Sequence, residues 1–466
     1  MKYGSLNSLL SMIAVPVLFS YSAACKKIVS IPPPGGMVTA AAVFSNDEDA
    51  ERDMKGVYYD MMSNIQSLAN GGMSIFGGLA SDEIYRTTPN KFEDAFAANA
   101  LADDNTLCNN LFKWAYQSIN HCNEIIENVV DPKISKVSKG MQVRLQAEAK
   151  MVRAIIFFYL VNLYGDVPLV KSTRYDVNDT LSRAPVSAVY QQMTADLQDA
   201  RLGLPDSYPA TEHSENIHLR PNRAVATALL ARVSLYLHDW ANAEQQASLL
   251  INDSAYQLEM DLDKAFLSTS REAIWALHPV LDGMFTAEAS LFIPFQGRPP
   301  TYVLTPWLLN SFEPSDLRLS HWTDTIIDNG IWYFYPAKYK ARDATAPEED
   351  VIVLRLSEQY LIRAEARVRQ RDTAGALRDL NIIRRRAGLS DLIHIDEDKL
   401  LRAIYHERRV EFFAEWGHRW LDLQRTGMID SVLSQEKSGW RHDAALFPLP
   451  HKDLELDPNL RQNPGY

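Results

Sequence analysis

The most diagnostic segment of this chain is Glu407-Arg-Arg-Val-Glu-Phe-Phe-Ala-Glu-Trp-Gly-His-Arg-Trp-Leu-Asp-Leu-Gln-Arg425, near the C-terminus. Its residues Phe412, Trp416 and Trp420 stand at positions i, i+4 and i+8, a spacing that places side chains on one face of an α-helix. The segment therefore predicts one continuous helix that packs against the protein through an aromatic face.

The residues beside and beyond this helix add two expectations. Glu415 and Arg419 are four positions apart, so they are predicted to form a salt bridge along the polar flank. The chain then continues through Phe447-Pro-Leu-Pro450 and ends in Gln462-Asn-Pro-Gly-Tyr466. Because proline lacks an N–H and Asn-Pro-Gly favours a turn, this tail is predicted to be irregular.

Most of the remaining chain has helical periodicity, and the predicted helices come in pairs. Small residues such as Ala231, Ala243 and Ala247 recur where paired helices would cross closely, as in tetratricopeptide helix-turn-helix units. Stacked pairs of this kind can bury one continuous core. The sequence therefore predicts a mainly α fold with a tetratricopeptide-like scaffold, built from helices at 47–63, 105–129, 142–163, 185–202, 222–237, 240–251, 357–370 and 374–387.

A different region interrupts the helices between about residues 253 and 347, where prolines, glycines and aromatic residues become frequent. The stretches 272–277 and 291–295 are predicted to be short strands. Asp328-Asn-Gly330 separates two further strand-like runs, 321–327 and 331–335, and Asn-Gly between such runs is a strong hairpin signal. We expect a loop-rich insert with short strands and a hairpin, carried by the helical scaffold.

The N-terminus has the features of an export signal. Lys2 precedes a short apolar run, and the small residues Ser22-Ala-Ala24 stand directly before Cys25. The run is too short to span a bilayer. We predict a lipoprotein signal peptide at 1–24 and a Pro/Gly-containing anchor and tether at 25–45 that begins with acylated Cys25. A single domain is expected at 46–466; plain secretion is the alternative for the signal.

Composition excludes some classes of function and stabilisation. The formal net charge of −12 disfavours nucleic acid as a partner, because binding phosphates requires a basic surface. Cys108 and Cys122 are predicted to lie on one helix, about 21 Å apart at 1.5 Å per residue, whereas a disulfide needs Cα atoms within about 7 Å. We therefore expect no disulfide between them.

In its motifs the chain resembles the SusD/RagB family of surface nutrient-binding lipoproteins. The resemblance rests on the helix and tail described above and on an ordered series of further matches from about residue 46 to the C-terminus. These include Arg153-Ala with Tyr164-Gly-Asp-Val-Pro168, Ala228-Leu-Leu-Ala-Arg232, Asp316 with Arg318, and Leu361 with Ala364-Glu-Ala366. One departure is Lys26-Lys27, where the family often has acidic residues.

The resemblance implies an outer-membrane, surface-exposed lipoprotein of polysaccharide utilisation and nutrient uptake. Such a protein would bind a glycan without a cofactor and deliver it to a SusC-like TonB-dependent transporter. Family members bind glycans through aromatic and polar side chains from the segment after the first helix and from the insert. Transferred to this chain, the predicted ligand-binding residues are Phe76, Asp82, Tyr85, Tyr302, Trp307, Trp322 and Trp332.

The sequence predicts no catalytic or metal-binding site. The sequence has no Gly-x-Ser-x-Gly, no Walker loop and no His-Glu-x-x-His. Acidic pairs such as Asp82-Glu83 are interpreted as solvated surface. Glycines 71, 72, 77 and 78 are interpreted as flexible turns. A helical-repeat interaction scaffold, a peptide-binding uptake component and a surface hydrolase remain as alternatives.

Overall fold

The structure is a computed structural model, and it describes residues 39–210, 217–281, 285–295, 298–342 and 348–466. The predicted signal peptide, Cys25 and the tether as far as residue 38 lie outside the described residues. Residues 40–466 form one compact unit. This unit begins before residue 46, because Phe44 is only 2% exposed and belongs to the hydrophobic core.

Helices dominate the described chain, and side-chain caps fix many of their starts. Asn46 accepts a hydrogen bond from the Asp49 N–H, and Asn105 and Asn222 cap their helices in the same way. The α-helices are α1 (Ala40–Val43), α2 (Asp47–Met62), α3 (Gly78–Ala80), α4 (Lys91–Ala97), α5 (Thr106–Asn128), α6 (Lys139–Tyr164), α7 (Tyr175–Asn178), α8 (Val186–Gly203), α9 (Arg223–Tyr236), α10 (Trp240–Ile251), α11 (Ala287–Phe292), α12 (Pro306–Leu309), α13 (Leu317–His321), α14 (Leu356–Arg369), α15 (Thr373–Arg386), α16 (Glu397–Glu411), α17 (His418–Arg425), α18 (Ile429–Glu436) and α19 (His451–Leu456).

Shorter helical pieces connect these elements. A wide helical segment, Leu68–Gly77, is kinked at Asn70 and Gly71, and single 3₁₀ turns span Ile217–Leu219, Leu262–Lys264 and His442–Ala445. The mainly α prediction is confirmed.

The paired helices pack through small residues, as the sequence predicted. Helix α10 packs on both α9 and α14, and α14 packs in turn on α15. A distinct cluster of buried residues joins the first three of these helices, and it consists of Ala231, Leu235, Ala243, Ala247, Ile362 and Ala366. Side chains this small allow the helix axes to approach closely, which gives the stacked arrangement of a tetratricopeptide-like scaffold.

The strands are short and form antiparallel pairs. They are β1 (Ile84–Arg86) with β5 (Tyr302–Leu304), β2 (Val167–Pro168) with β3 (Arg183–Ala184), β4 (Ala273–Leu277) with β8 (Val351–Arg355), and β6 (Thr323–Asp328) with β7 (Ile331–Pro336). The hairpin around Asn329-Gly330 is confirmed, with Asp328 opposite Ile331. The strand predicted at 291–295 is wrong. Residues 287–292 form helix α11 instead, which the Thr286 hydroxyl caps by accepting from the Ala289 N–H at 3.1 Å.

The diagnostic C-terminal segment is not one helix. Helix α16 ends at Glu411 and α17 starts at His418, and between them Ala414, Trp416 and Gly417 adopt positive φ angles. Trp416 and Trp420 are both buried, but they reach the core from separate elements. The predicted common aromatic face on a single helix is therefore wrong.

Buried basic residues from elsewhere in the fold bind the acidic side chains at the end of α16 and in the break. Glu411 receives hydrogen bonds from Arg318, Arg355 and Arg386. Glu415 is bound by Arg355 at 2.9 Å, not by Arg419 as predicted. The Arg355 guanidinium therefore joins the last residue of α16 to the turn that follows it.

Candidate functional site

Three of the seven predicted ligand-binding residues are aromatic side chains that the fold buries. Phe76 stacks on Phe96 with ring centroids 4.5 Å apart. The Tyr302 hydroxyl donates to Glu93 at 2.7 Å, and the Trp322 indole N–H donates to the Leu262 carbonyl at 3.0 Å. Because all three are 2% exposed or less, they offer no surface for a ligand to stack on. The prediction that these three residues bind ligand is wrong, and their side chains stabilise the fold instead.

A fourth predicted residue, Asp82, is also buried, and arginines from α16 and α17 form ion pairs with it. Arg419 donates to both of its carboxylate oxygens, at 2.7 and 2.9 Å, and Arg409 pairs with it too. Burial alone would raise the pKa of Asp82, but these two guanidinium groups hold it below its usual range. Asp82 and Glu83 are not solvated surface, and burial together with the Asp82 charge raises the pKa of Glu83 to about 8.

The remaining three predicted residues, Tyr85, Trp307 and Trp332, are exposed. Tyr85 lies on β1 opposite Val303, and Trp307 lies on α12, which directly follows β5. Strand β7 packs on β5 and carries Trp332, which is 61% exposed. The structure therefore places these rings on β1 and on the adjoining elements α12 and β7 of the insert, and they remain candidates for ligand contact.

The three rings do not form a single stacking platform. The pKa of Tyr85 is raised by partial burial and by the neighbouring phenol of Tyr333. Successive residues of a strand point to opposite faces, so Trp332 lies on the other face of the hairpin from Tyr333. Tyr85 therefore lies near Tyr333, on one face of the hairpin. Trp332 lies on the other face, where it is the cross-strand partner of Ile327 on β6.

A concave site that the sequence did not indicate lies between α2 and the insert; we call it the tyrosine pocket. Its volume is about 440 Å³, within the roughly 300–1,000 Å³ typical of ligand sites. Two adjacent tyrosines, Tyr58 and Tyr59, form one wall. The full lining is Lys55, Gly56, Tyr58, Tyr59, Met62, Ala210, Leu219, Arg220, Leu277, His278 and Val280.

The wall of the tyrosine pocket is held rigidly. The Tyr58 hydroxyl donates to Glu148 at 2.6 Å, and Arg220 lies over the Tyr58 ring at 5.5 Å. Arg220 itself is fixed by two hydrogen bonds to Glu148, at 2.6 and 2.7 Å. Burial first, and the Glu148 charge second, raise the pKa of Tyr58, so this phenol stays protonated. Tyr59 is 54% exposed beside this fixed wall and offers a free ring face.

Helical spacing explains how α2 supplies this wall. Lys55, Tyr59 and Met62 are four and three residues apart, so they share one face of α2. The opposite wall comes from the end of β4, with His278 and Val280 just beyond it. The one available signal in the sequence was the Tyr58-Tyr59 pair itself, because two adjacent bulky residues on a helix cannot both face the core.

A possible cation site adjoins this pocket. One ligand atom from each of His278, Glu348 and Asp350 lies within 4.8 Å of the others. The His278 Nδ1 is 2.6 Å from Asp350, and this hydrogen bond raises the pKa of His278. An imidazole with two carboxylates suits a divalent cation such as Zn²⁺ or Mn²⁺, but the same contacts describe an ordinary histidine–aspartate pair. The expectation that no metal is bound stays a prediction.

Comparison with known families and proteins gives consistent matches. A family model described as "Starch-binding associating with outer membrane" matches residues 61–235, and one described as "SusD family" matches residues 330–466. Residues 236–329, which include most of the insert, lie between the two matches. Within the described ranges, no helix combines the length and apolar character needed to cross a membrane.

Individual relatives match either nearly the whole chain or about a quarter of it. SusD-like protein P2 of Formosa agariphila is 24% identical, across 93% of this chain and 95% of that protein. Starch-binding protein SusD of Bacteroides thetaiotaomicron is 34% identical, over 26% of this chain and 23% of its own length. The solved structure of a laminarin-binding SusD-like protein superimposes with a TM-score of 0.76 at 23% identity, covering 90% of this chain and all of that one.

Proposed function

Because this chain belongs to the SusD/RagB family, we propose that it is a surface lipoprotein that captures a glycan and passes it to a TonB-dependent transporter. The family descriptions refer to starch binding and to the outer membrane. Two similar proteins are named for starch and laminarin, which are both neutral glucans. Binding is non-covalent in this proposal, and the protein performs no turnover.

The tyrosine pocket is the observation that carries the proposal. Sugar rings present apolar faces and polar edges, and a flat side chain with a hydroxyl at its rim matches both. Tyr59 offers such a ring, while Tyr58 is held in place by Glu148 and Arg220. A rigid wall lowers the entropy that binding would otherwise cost.

Calorimetry with a glycan panel that includes maltoheptaose and laminarihexaose tests this site. Tyr59→Ala should weaken binding about three- to tenfold, because an aromatic packing contact is worth about 0.5–1.5 kcal/mol. Tyr175→Ala is a matched control, since Tyr175 is 75% exposed but lies on α7, outside the pocket and the insert. Equal affinities for Tyr59→Ala and the parent protein would refute the pocket, and tight binding of a peptide but no glycan would refute the carbohydrate ligand.

The anchor and the transporter are tested separately. We expect acylation of Cys25 to hold the protein in the membrane fraction, so Cys25→Ser should release it to the soluble fraction. Affinity purification of the acylated protein from outer membranes should recover a TonB-dependent barrel. Recovery of a different partner would favour the interaction-scaffold alternative.

A further inference from the structure

A second concave surface lies beside α5; we call it the α5 groove. Its volume is about 870 Å³, and it shares no lining residue with the tyrosine pocket. It is lined by Asp104, Thr106, Asn109, Asn110, Phe112, Lys113, Tyr116, Gln117, Asn120, Pro450, His451, Lys452 and Asp453.

We propose that the α5 groove is a second binding site, for a neutral oligosaccharide; this rests on the glycan-binding function proposed above. The groove would add a second contact to the same type of ligand that the tyrosine pocket takes. Such a second contact raises overall affinity for a long chain, because the later binding step becomes intramolecular.

The groove has the dimensions of an extended ligand. Thr106, Asn109, Lys113, Tyr116 and Asn120 follow one another at intervals of three or four residues, so they line one face of α5. From the first to the last, this face extends about 21 Å at 1.5 Å per residue. Pro450 and the start of α19 form the facing wall. The site is therefore an elongated trough rather than a round pocket.

Amide side chains give the groove its hydrogen-bonding character. Asn110, Gln117 and Asn120 each offer both donors and acceptors, and sugar hydroxyls need both. The Oδ1 of Asn109 is buried, so it does not add to this set of accessible groups.

The partly exposed ring of Tyr116 gives the groove an apolar surface, and the buried Phe112 packs against that ring. Phe112 and Tyr116 lie with centroids 4.7 Å apart, and the Tyr116 hydroxyl donates to the Pro168 carbonyl at 2.8 Å. That hydrogen bond fixes the ring, and burial raises the pKa of Tyr116, so it stays neutral. Fixed rings beside flexible amides are suited to a ligand with apolar faces and polar edges.

The charges of the groove favour a neutral ligand over an acidic one. Lys113 and Lys452 are matched by Asp104 and Asp453 in the same lining. His451, the remaining titratable group, lies 3.2 Å from Asp103 and is thus already paired with a carboxylate. A uronate or sulfated sugar would meet no excess of positive charge here.

The same surface lacks the anchors that a protein partner would use. Protein interfaces depend on a few large apolar or aromatic side chains that enter pockets on the partner. None of the residues that line the groove is among the exposed large apolar side chains of the described chain, and Phe112 is only 5% exposed. The groove is therefore better suited to a sugar than to a helix or loop of another protein.

Calorimetry with maltoheptaose and laminarihexaose tests the groove, and stoichiometry is the primary readout. We expect two equivalents to bind the parent protein, and Tyr59→Ala to weaken one of them while the affinity of the other stays unchanged. Adding Gln117→Ala and Asn120→Ala to that variant should reduce the affinity of this second equivalent at least tenfold. Gln245→Ala is the control, because Gln245 is an exposed amide on α10.

The possible outcomes separate the two proposals. Binding of a single equivalent that Tyr59→Ala weakens and the Gln117 and Asn120 changes leave unaltered overturns the groove but leaves the proposed function intact. Binding of neither glucan to the parent protein overturns both for neutral glucans. If the Gln117 and Asn120 changes leave glycan binding unaltered but abolish copurification with a transporter barrel, the groove is a protein contact and the sugar site is refuted.

Discussion

Gly77 and Gly417 meet backbone to backbone, although 340 positions separate them in the chain. A Cβ atom on Gly77 would lie 2.6 Å from the Gly417 Cα, a distance that only a backbone shift could relieve. Gly417 has a φ of +66°, and a Cβ there would meet the Met73 side chain at 2.6 Å. These glycines permit close packing and a left-handed turn, so the flexible-turn interpretation of Gly77 is wrong.

We predict that Gly77→Ala destabilises the protein by about 3 kcal/mol, at the upper end of what overpacking costs, because the obstructing atoms are backbone. Chemical denaturation measures the change. Gly140→Ala is the matched control: it lies near the start of α6 with open space around it, and should stabilise by about 0.4–1 kcal/mol. Equal stability of Gly77→Ala and the parent would contradict the close approach.

Glu288 should make the stability of the fold depend on pH, and the substitution Glu288→Gln should remove this contribution. Burial raises its pKa to about 7, the Ser74 hydroxyl donates to one oxygen at 2.9 Å, and the other oxygen has no partner among the described residues. Because the folded state holds the proton more tightly, the stabilisation is full below the unfolded pKa near 4.5 and is lost as the pH rises through 7.

The parent protein should therefore lose on the order of 3 kcal/mol more than Glu288→Gln between pH 4 and pH 8, at about 1.4 kcal/mol per pKa unit. Urea unfolding at several pH values provides the comparison. Glu397→Gln is the control, since Glu397 is exposed in the first turn of α16. Parallel pH profiles for Glu288→Gln and the parent would exclude this assignment.

At the scale of elements, the interrupted C-terminal helix shows what local patterns contain and what they omit. Periodicity predicted that Trp416 and Trp420 are buried, and both are. It could not predict the ion pairs beside the break, because the partners of Glu411 come from α13, β8 and α15. The spacing of residues within one segment carries no information about charged side chains that three other elements place beside it.

Removing the Glu411 charge should be severe, because three buried arginines share it. Their guanidinium groups overcome the effect of burial and hold the pKa of Glu411 well below its usual range. We predict that Glu411→Gln costs about 3–5 kcal/mol, the range measured when one partner of a buried ion pair is removed. It should also flatten the loss of stability below about pH 4, because the carboxylate stabilises only when ionised.

Denaturation at pH 7, and at a series of pH values from 5 down to 2, checks both parts of this expectation. Glu397→Gln on the same helix again serves as the control and should be nearly neutral. A loss of stability below 1 kcal/mol for Glu411→Gln would show that the arginines find other partners when this carboxylate is absent.

Other elements were predictable because their signals are local. Asn46, Asn105 and Asn222 are caps that can be read from the sequence, and Asn329-Gly330 specifies its own hairpin. The segment 291–295 failed for the opposite reason. Its apolar run is equally compatible with a buried helix, and only the Thr286 cap and packing against Leu68–Gly77 select α11.

At the scale of the whole molecule, the tyrosine pocket was beyond sequence reasoning. Its lining combines residues 55–62, 210, 219–220 and 277–280, which only the complete fold brings together. The predicted aromatic residues were chosen by type and region, and neither property reveals whether a ring faces the core. Burial separated Trp322 from Trp332, although both belong to the same hairpin region.

The described part of the molecule relies on its core rather than on a disulfide. Cys108 and Cys122 are free and buried, and burial raises the pKa of each thiol to about 12. In a Cys25→Ser background, we predict no labelling of native thiols at pH 8, two labelled thiols after denaturation, and a melting temperature unaffected by reductant. A fall in melting temperature on reduction would reveal a cross-link.

The buried Asp82 has a consequence for the order in which the protein is made. Its two basic partners follow it by 327 and 337 residues. Until a ribosome has added Arg409 and Arg419, closing the region around Asp82 would bury a carboxylate without its two basic partners, which is costly. We therefore expect this region to close only after the C-terminal helices have been synthesised.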